Sequence, residues 1–270
     1  MSDSLLLLGC GKMGGALLRG WLDQGIAGGT TWPVVVVEPN AESMRDFIGT
    51  DGLAHVARVE DLPDLEPAVV LLAVKPQTMD QALAQLKSRL ATAKPMYLSI
   101  AAGKNLAYFA RHLGADAAVV RSMPNTPAAV GRGATVAVPN PHVTAAMRAT
   151  AERLLAAVGD VHWVRDEGLL DAVTALSGGG PAYVFLLIEA MAQAGVDAGL
   201  PADLAMSLAR ATVCGAGELA RLSPEPAATL RQNVTSPNGT TLEALKVLMA
   251  PDGIQPLFTK AIAAATRRSR

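Results

Sequence analysis

Cysteine, aromatic side chains and charge are all scarce in this chain. Its 270 residues hold two cysteines, Cys10 and Cys214, with no C-x-x-C pair and no metal-type spacing, which argues against a disulfide framework and fits a reducing compartment. The four histidines, His55, His112, His142 and His162, are scattered and no H-E-x-x-H occurs, so no metal site is expected. Only 17% of the residues are charged, and 23 basic against 24 acidic residues leave a net charge of −1. That balance makes no field for nucleic acid or an anionic membrane. Arg267, Arg268 and Arg270 read as a solvated helix end, favourable against the helix dipole. No uncharged apolar run reaches the roughly 18–20 residues of a membrane span; the closest, Tyr183 to Ala194, is short and carries Glu189. Leu5 to Leu8 lacks a basic flank and is too brief for a signal-peptide core. Yet half of the residues are apolar and the mean hydropathy is +0.29, high for a soluble monomer. The expectation is a cytoplasmic protein that hides apolar surface in an oligomer, long enough for one large or two modest domains.

What is present falls into two halves. Apolar runs at Ser4–Leu8, Val34–Val37, Val69–Val74, Tyr97–Ile100, Val119–Ser122, Thr135–Val138 and Val161–Val164 read as strands. Helical stretches at 12–25, 79–90 and 144–158 lie between them, and continuous apolar strands separated by helices predict a parallel sheet covered on both faces. After Trp163 the pattern is helical throughout, which divides the chain into residues 1–162 and residues 163–270. Pro181, behind three glycines, would kink or restart the long helix spanning 167–196. The stretch from Tyr183 to Met191 is apolar nearly all round, and the small second half cannot cover it alone, so a helix buried between two subunits is expected.

Gly9-Cys10-Gly11-Lys12-Met13-Gly14 fits G-x-G-x-x-G between a strand and a helix, the fingerprint of a Rossmann-type dinucleotide-binding domain. Gly9 permits the tight turn, Gly11 lets the backbone approach a pyrophosphate, and Gly14 lets the helix pack close to the sheet. The helix N-terminus then offers free N–H groups and a positive dipole end to the phosphates. Glu38 closes the second strand about 20 residues further on, where an acidic residue accepts bonds from the adenosine ribose hydroxyls and repels a 2′-phosphate. It favours NADH over NADPH, although Arg45 lies near enough in sequence to answer a phosphate. Lys75-Pro76, Ala101-Ala102-Gly103 and Met123-Pro124-Asn125-Thr126-Pro127 follow other strands, at the end of an α/β sheet where ligands lie.

Two segments stand out in the helical half. Ser177–Tyr183 breaks a helix with glycines, for packing or for close approach of a ligand. Asn233-Val234-Thr235-Ser236-Pro237-Asn238-Gly239-Thr240-Thr241 is dense in hydroxyls and runs into a helix. Thr240 with Glu243 resembles a capping box, which accounts for one hydroxyl, and the others suit a nest for a carboxylate.

These motifs together resemble the pyrroline-5-carboxylate reductases over nearly the whole chain. The likeness runs through the fingerprint, Ala73-Val74-Lys75-Pro76, Asn125-Thr126-Pro127, the Ser177–Tyr183 segment and Asn233–Leu245. Gly179 and Asn238 depart from the family's usual serine and glycine. The resemblance implies an α/β N-terminal Rossmann-type domain followed by an all-helical dimerisation domain. It also implies hydride transfer from NAD(P)H to C5 of 1-pyrroline-5-carboxylate, giving L-proline in the last step of proline biosynthesis. It assigns Thr241 to the ring nitrogen as the catalytic hydroxyl. It assigns Ser236, Asn238, Gly239, Thr240 and Thr241 to the substrate. The cofactor falls to Gly9, Gly11, Lys12, Met13, Gly14, Glu38, Ala73, Val74, Lys75, Pro76, Ala101, Ala102 and Asn233. Homodimers through the helical domain, gathered into decamers, are implied as well. A 3-hydroxyacid dehydrogenase of the same plan should carry a lysine in the long helix, and none occurs between Asp166 and Leu200. A silent dinucleotide sensor should lack the hydroxyl loop, which is present.

Overall fold

The computed structural model describes residues 4–29, 32–90 and 92–269. The chain forms two compact units, Met1–Gly178 with Ser269–Arg270, and Gly179–Arg268.

The first unit is built on an eight-stranded sheet: β1 (Ser4–Leu8), β2 (Val34–Val37), β3 (Leu53–Val56), β4 (Pro67–Leu72), β5 (Met96–Ser99), β6 (Val119–Met123), β7 (Gly133–Pro139) and β8 (Gly159–Trp163). Their order is β3-β2-β1-β4-β5-β6-β7-β8. The strands are short and apolar because alternate residues meet different cores. Leu5, Leu7, Val34, Val36, Val69 and Leu71 share one cluster with Leu17, Leu18 and Trp21 of α1 (Lys12–Asp23) and Leu154 and Leu155 of α4 (Ala145–Ala156). Leu6, Leu8, Val35, Val37, Val70 and Leu72 share the other with Leu83 and Leu86 of α2 (Met79–Arg89) and Phe109 of α3 (Leu106–Leu113). Both faces are covered, as expected of strands with apolar residues at consecutive positions. The buried Trp21 indole donates to Leu154 O at 2.8 Å, so α1 and α4 are joined by a hydrogen bond as well as by packing.

The expectation of a wholly parallel sheet needs one correction. β7 runs antiparallel to β6, and β8 is parallel to β7. The reason is the connection. Only a short 3₁₀ turn, Thr126–Val130, separates β6 from β7, and a parallel partner needs a crossover of about a dozen residues or more. Two elements escaped the sequence reading: the edge strand β3, whose Ala54 and His55 are exposed, and α3, capped by the Asn105 side chain accepting from Tyr108 N at 2.8 Å.

Among the described residues after Trp163 no strand occurs. The last strand ends at Trp163, one residue past the expected division at 162/163, and the compact units divide further on, at Gly178/Gly179, which keeps α5 (Leu169–Val173) with the sheet. A π-helical turn, Thr174–Gly178, follows α5, and Pro181 stands at the start of α6 (Gly180–Asp197), so the long helix restarts there.

The second unit holds α6, α7 (Ala202–Leu222), α8 (Ala227–Asn233), α9 (Thr240–Leu248) and α10 (Ile254–Ser269). Small residues set the approach of α6 to α7: a side chain at Gly195 would begin 3.1 Å from Ala205 Cβ. Tyr183 of α6 meets Phe258 of α10 edge to face. Much of the remaining apolar surface is open. Phe185 is 61% and Leu186 62% exposed, and Leu208, Leu219, Val247 and Leu257 are exposed too. Within the run Leu169–Asp197 an 18-residue stretch reaches a mean hydropathy of 1.3, so the run is long and apolar enough to cross a membrane by length and composition.

Candidate active site

Because β2, β1, β4, β5 and β6 are mutually parallel, the segments that follow them emerge along one edge of the sheet. Gly9–Gly14, Glu38, Ala73–Pro76, Ala101–Ala102 and Pro124–Thr126 are those segments. The topology thereby gathers every sequence-predicted cofactor residue of the first unit.

Each glycine of the fingerprint has its own requirement. Gly9 turns at φ +94°, and a side chain there would begin 2.8 Å from Ala73 O. At Gly14 a side chain would run into the Gly9 carbonyl oxygen and lie 3.2 Å from Ala73 Cβ, so α1 packs directly on the turn and on the β4 end. At Gly11 a side chain would meet nothing within 4 Å, which is space for a ligand to approach the backbone. Gly11 is also the N-cap of α1. No side chain caps this helix and its first turn holds no acidic residue, so its N–H groups and dipole are left for an anion. A cavity of about 330 Å³ opens beside it, lined in part by Gly11, Lys12, Gly15, Arg19 and Ser43. Met13 is half-buried and packs against the α1 side of the core.

Glu38 is buried, and both of its carboxylate oxygens are engaged. Oε2 accepts from Cys10 N at 2.7 Å and Oε1 from Asn40 N at 2.9 Å. Each oxygen keeps a second acceptor site, so a ribose hydroxyl remains possible. The Cys10 thiol is pushed up to about 11, first by burial and then by the Glu38 charge. Arg45 points its guanidinium at Glu42, 2.6 Å away on the surface. Ala73 N donates to Leu8 O at 2.8 Å, which extends the β1–β4 pairing past the strand end. Lys75 is exposed, and its carbonyl accepts from Thr78 N and Oγ1. Ala101 is buried, with its N–H bonded to Ser99 Oγ, while Ala102 is exposed.

Two ties escaped the sequence reading. Arg121, only 8% exposed in β6, pairs with Glu167 at 2.8 Å, and the same Glu167 oxygen accepts from Leu106 N at 2.8 Å. The signal was an arginine inside an otherwise apolar strand, which burial obliges to find a carboxylate. Asn125 Oδ1 accepts from Ala134 N at 2.8 Å, and its Nδ2 donates to Ser177 Oγ at 3.2 Å. Asn125 thus anchors the π-helical turn to the β6–β7 connection. Such turns often mark functional sites.

In the second unit, Asn233 ends α8 and donates through Nδ2 to Glu225 Oε2 at 3.1 Å, a partner the sequence did not suggest. Thr235 is spent locally, its hydroxyl on Arg231 O. Asn238 has φ +58°, the one non-glycine residue in the left-handed region among those described. Asparagine tolerates this region better than most residues other than glycine. Gly239 lies against Ser236, where a side chain would strike the serine hydroxyl. The expected capping box is absent. Gly239 is the N-cap of α9, no side chain caps it, and Glu243 pairs with Lys246 at 2.6 Å. Gly239 at the cap places Thr240 and Thr241 already inside the helix. Among the described residues, the hydroxyls of Ser236, Thr240 and Thr241 make no hydrogen bond.

A glycine turn leading to an uncapped helix at the carboxyl edge of a Rossmann-type sheet, followed by an all-helical unit, defines a two-part oxidoreductase that uses a dinucleotide. Comparison with known proteins narrows the class. Residues 4–103 match a family described as NADP oxidoreductase, coenzyme F420-dependent. Residues 167–270 match the pyrroline-5-carboxylate reductase dimerisation family. A pyrroline-5-carboxylate reductase of Synechocystis sp. is 40% identical over 100% of this chain and 98% of its own. The structure of such a reductase from Coxiella burnetii superposes with a TM-score of 0.91 at 33% identity, covering 100% of this chain and 98% of that one. The pyrroline carboxylate reductase of Plasmodium falciparum, with NADP bound, gives 0.80 at 28% identity over 99% and 97%. The chain belongs to the pyrroline-5-carboxylate reductase family.

Proposed function

We propose that this chain reduces 1-pyrroline-5-carboxylate to L-proline with a nicotinamide dinucleotide, the last step of proline biosynthesis, and that its two glycine-opened helices divide the binding. The observation that carries this reading is their shared character. α1 and α9 both begin on a glycine N-cap with no side-chain cap, so each leaves free N–H groups and a positive dipole end for an anion. The first receives the cofactor pyrophosphate and the second the substrate carboxylate.

The cofactor, when bound, supplies the hydride that goes to C5 of the ring. Gly9, Gly11, Lys12, Met13 and Gly14 hold its phosphates, with Ala73, Val74, Lys75, Pro76, Ala101 and Ala102 along the sheet edge, and Asn233 also serves the cofactor. Ser236, Asn238, Gly239 and Thr240 hold the carboxylate through N–H and hydroxyl groups. The Thr241 hydroxyl bonds the ring nitrogen and orients it. An unperturbed hydroxyl is a poor free proton source, so its contribution is positioning and proton relay. Thr241→Ala should lower kcat/KM for the imine acid on the order of tenfold to a hundredfold, the weight of one hydrogen bond to a charged group. Cofactor affinity should hold. Unchanged kinetics would remove Thr241 from the mechanism.

NADH is the better cofactor in this reading, because the Glu38 charge ends β2 and Arg45 is occupied by Glu42. A higher kcat/KM with NADPH than with NADH would overturn that preference. The open apolar face of α6 belongs against a second copy of the chain rather than in lipid, since the matched dimerisation family spans 167–270. The dimers so formed gather into decamers, in the cytoplasm, with no nucleic acid or membrane partner.

A further inference from the structure

We propose that Glu38 is a positioning residue for the phosphate-binding turn, acting through the Cys10 N–H in addition to any contact with ribose. The inference rests on the reading that the glycine turn holds the dinucleotide. Its basis is a run of bonds. Gly9 N donates to Val37 O at 2.9 Å and Cys10 N to Glu38 Oε2 at 2.7 Å. Two consecutive N–H groups of the turn are thus tied to the last residue of β2 and to the residue that follows it. Glu38 is itself held from both sides. Its N–H donates to Val56 O at 3.1 Å, His55 Nε2 lies 2.8 Å from its carbonyl oxygen, and Asn40 N donates to its second carboxylate oxygen. Glu38 is 9% exposed and Cys10 2%.

This geometry engages both carboxylate oxygens within the protein and leaves each a second acceptor site. The clamp fixes the direction in which the chain leaves Gly9, at φ +94°, and so where the uncapped N–H groups that follow Gly11 point. A hydrogen bond to an ionised acceptor is roughly twice as strong as a neutral one. Removing the acceptor would leave the buried Cys10 N–H without a partner, which loosens the turn before any cofactor arrives.

The test uses the full chain, Glu38→Ala and Glu38→Gln, and two probes: NADH, and an NADH analogue whose adenosine ribose lacks both the 2′- and 3′-hydroxyls. Gln keeps one acceptor oxygen and the side-chain shape, so it carries the test should the alanine variant fail to fold. The analogue should bind more weakly in both variants, on the order of tenfold for Glu38→Ala and less for Glu38→Gln, with NADH weakened at least as much. The KM for NADH should rise while kcat at saturating cofactor and KM for the imine acid stay unchanged, a split that simple loss of folded protein would not give. Weakening confined to NADH would show a ribose contact alone and overturn the proposal. Unchanged binding of both probes would overturn it too, as would a fall in kcat with KM for NADH unchanged. Neither probe carries a 2′-phosphate, so a wild-type preference for NADPH would contradict the cofactor reading above without altering this result. Failure of the wild type to bind either probe would instead count against the dinucleotide site itself.

Discussion

Cys10 stands in the middle of the glycine turn, yet its thiol is buried and held protonated up to about pH 11, by burial first and the Glu38 charge second. In the unfolded chain it would ionise near its ordinary value of 9.0. The folded state therefore binds more protons between those two values, and stability falls as pH rises through that window. A shift from 9.0 to about 11 corresponds to a loss of up to about 2–3 kcal/mol. Urea titrations at pH 8 and at pH 11 should show that loss in wild type and a smaller one in Cys10→Ala; equal losses would contradict it. At Asn238, with φ +58°, alanine should lower stability by about 1 kcal/mol while glycine is tolerated, again read by urea denaturation. In the sequence Asn238 stood out only as a departure from the family's glycine; its left-handed backbone is a finding of the structure. The Glu38–Cys10 bond was not legible there. It spans 28 positions and exists only because β1 and β2 pair in register, Leu8 with Val37.

Elements were legible where their burial was uniform. β1, β2 and β4 are apolar at nearly every position because both faces of the sheet are covered. β3 was missed because this edge strand is only four residues long and exposes two of them in succession, Ala54 and His55. The reversal of β7 was missed because apolar content does not encode direction; the short Thr126–Val130 turn does. The capping box failed for a local reason, since Gly239 takes the cap and Glu243 prefers Lys246. Between elements, Arg121 and Glu167 tie β6 to the chain entering α5, with side chains 10% and 28% exposed. Arg121→Met should destabilise the protein by about 2–3 kcal/mol, below the full penalty for a deeply buried pair because Glu167 still meets solvent. Adding Glu167→Gln should restore part of it in chemical denaturation. A double variant as unstable as the sum of the single ones would show that the pair does not interact.

The whole molecule shows why a chain of mean hydropathy +0.29 carries so little charge. The first unit buries its apolar residues in two cores, while the second leaves Phe185, Leu186, Leu219 and Val247 open. The match of residues 167–270 to the dimerisation family supports an oligomer, and in the proposed dimer a second copy lies against these open residues. Phe185→Lys should therefore shift the protein to a smaller species by light scattering after gel filtration, and an unchanged mass would move the interface elsewhere. The substrate half of the site was legible as a hydroxyl-rich loop only in outline. Its chemistry rests on three free hydroxyls and an uncapped helix, features that depend on which residue becomes the cap. The most direct measurement of the central claim is the reverse reaction: proline-dependent reduction of NAD⁺ and NADP⁺ by the purified oligomer at alkaline pH. The account predicts turnover with proline, faster with NAD⁺, that is strongly reduced in Thr241→Ala. A folded oligomer that reduces neither cofactor with proline would contradict it.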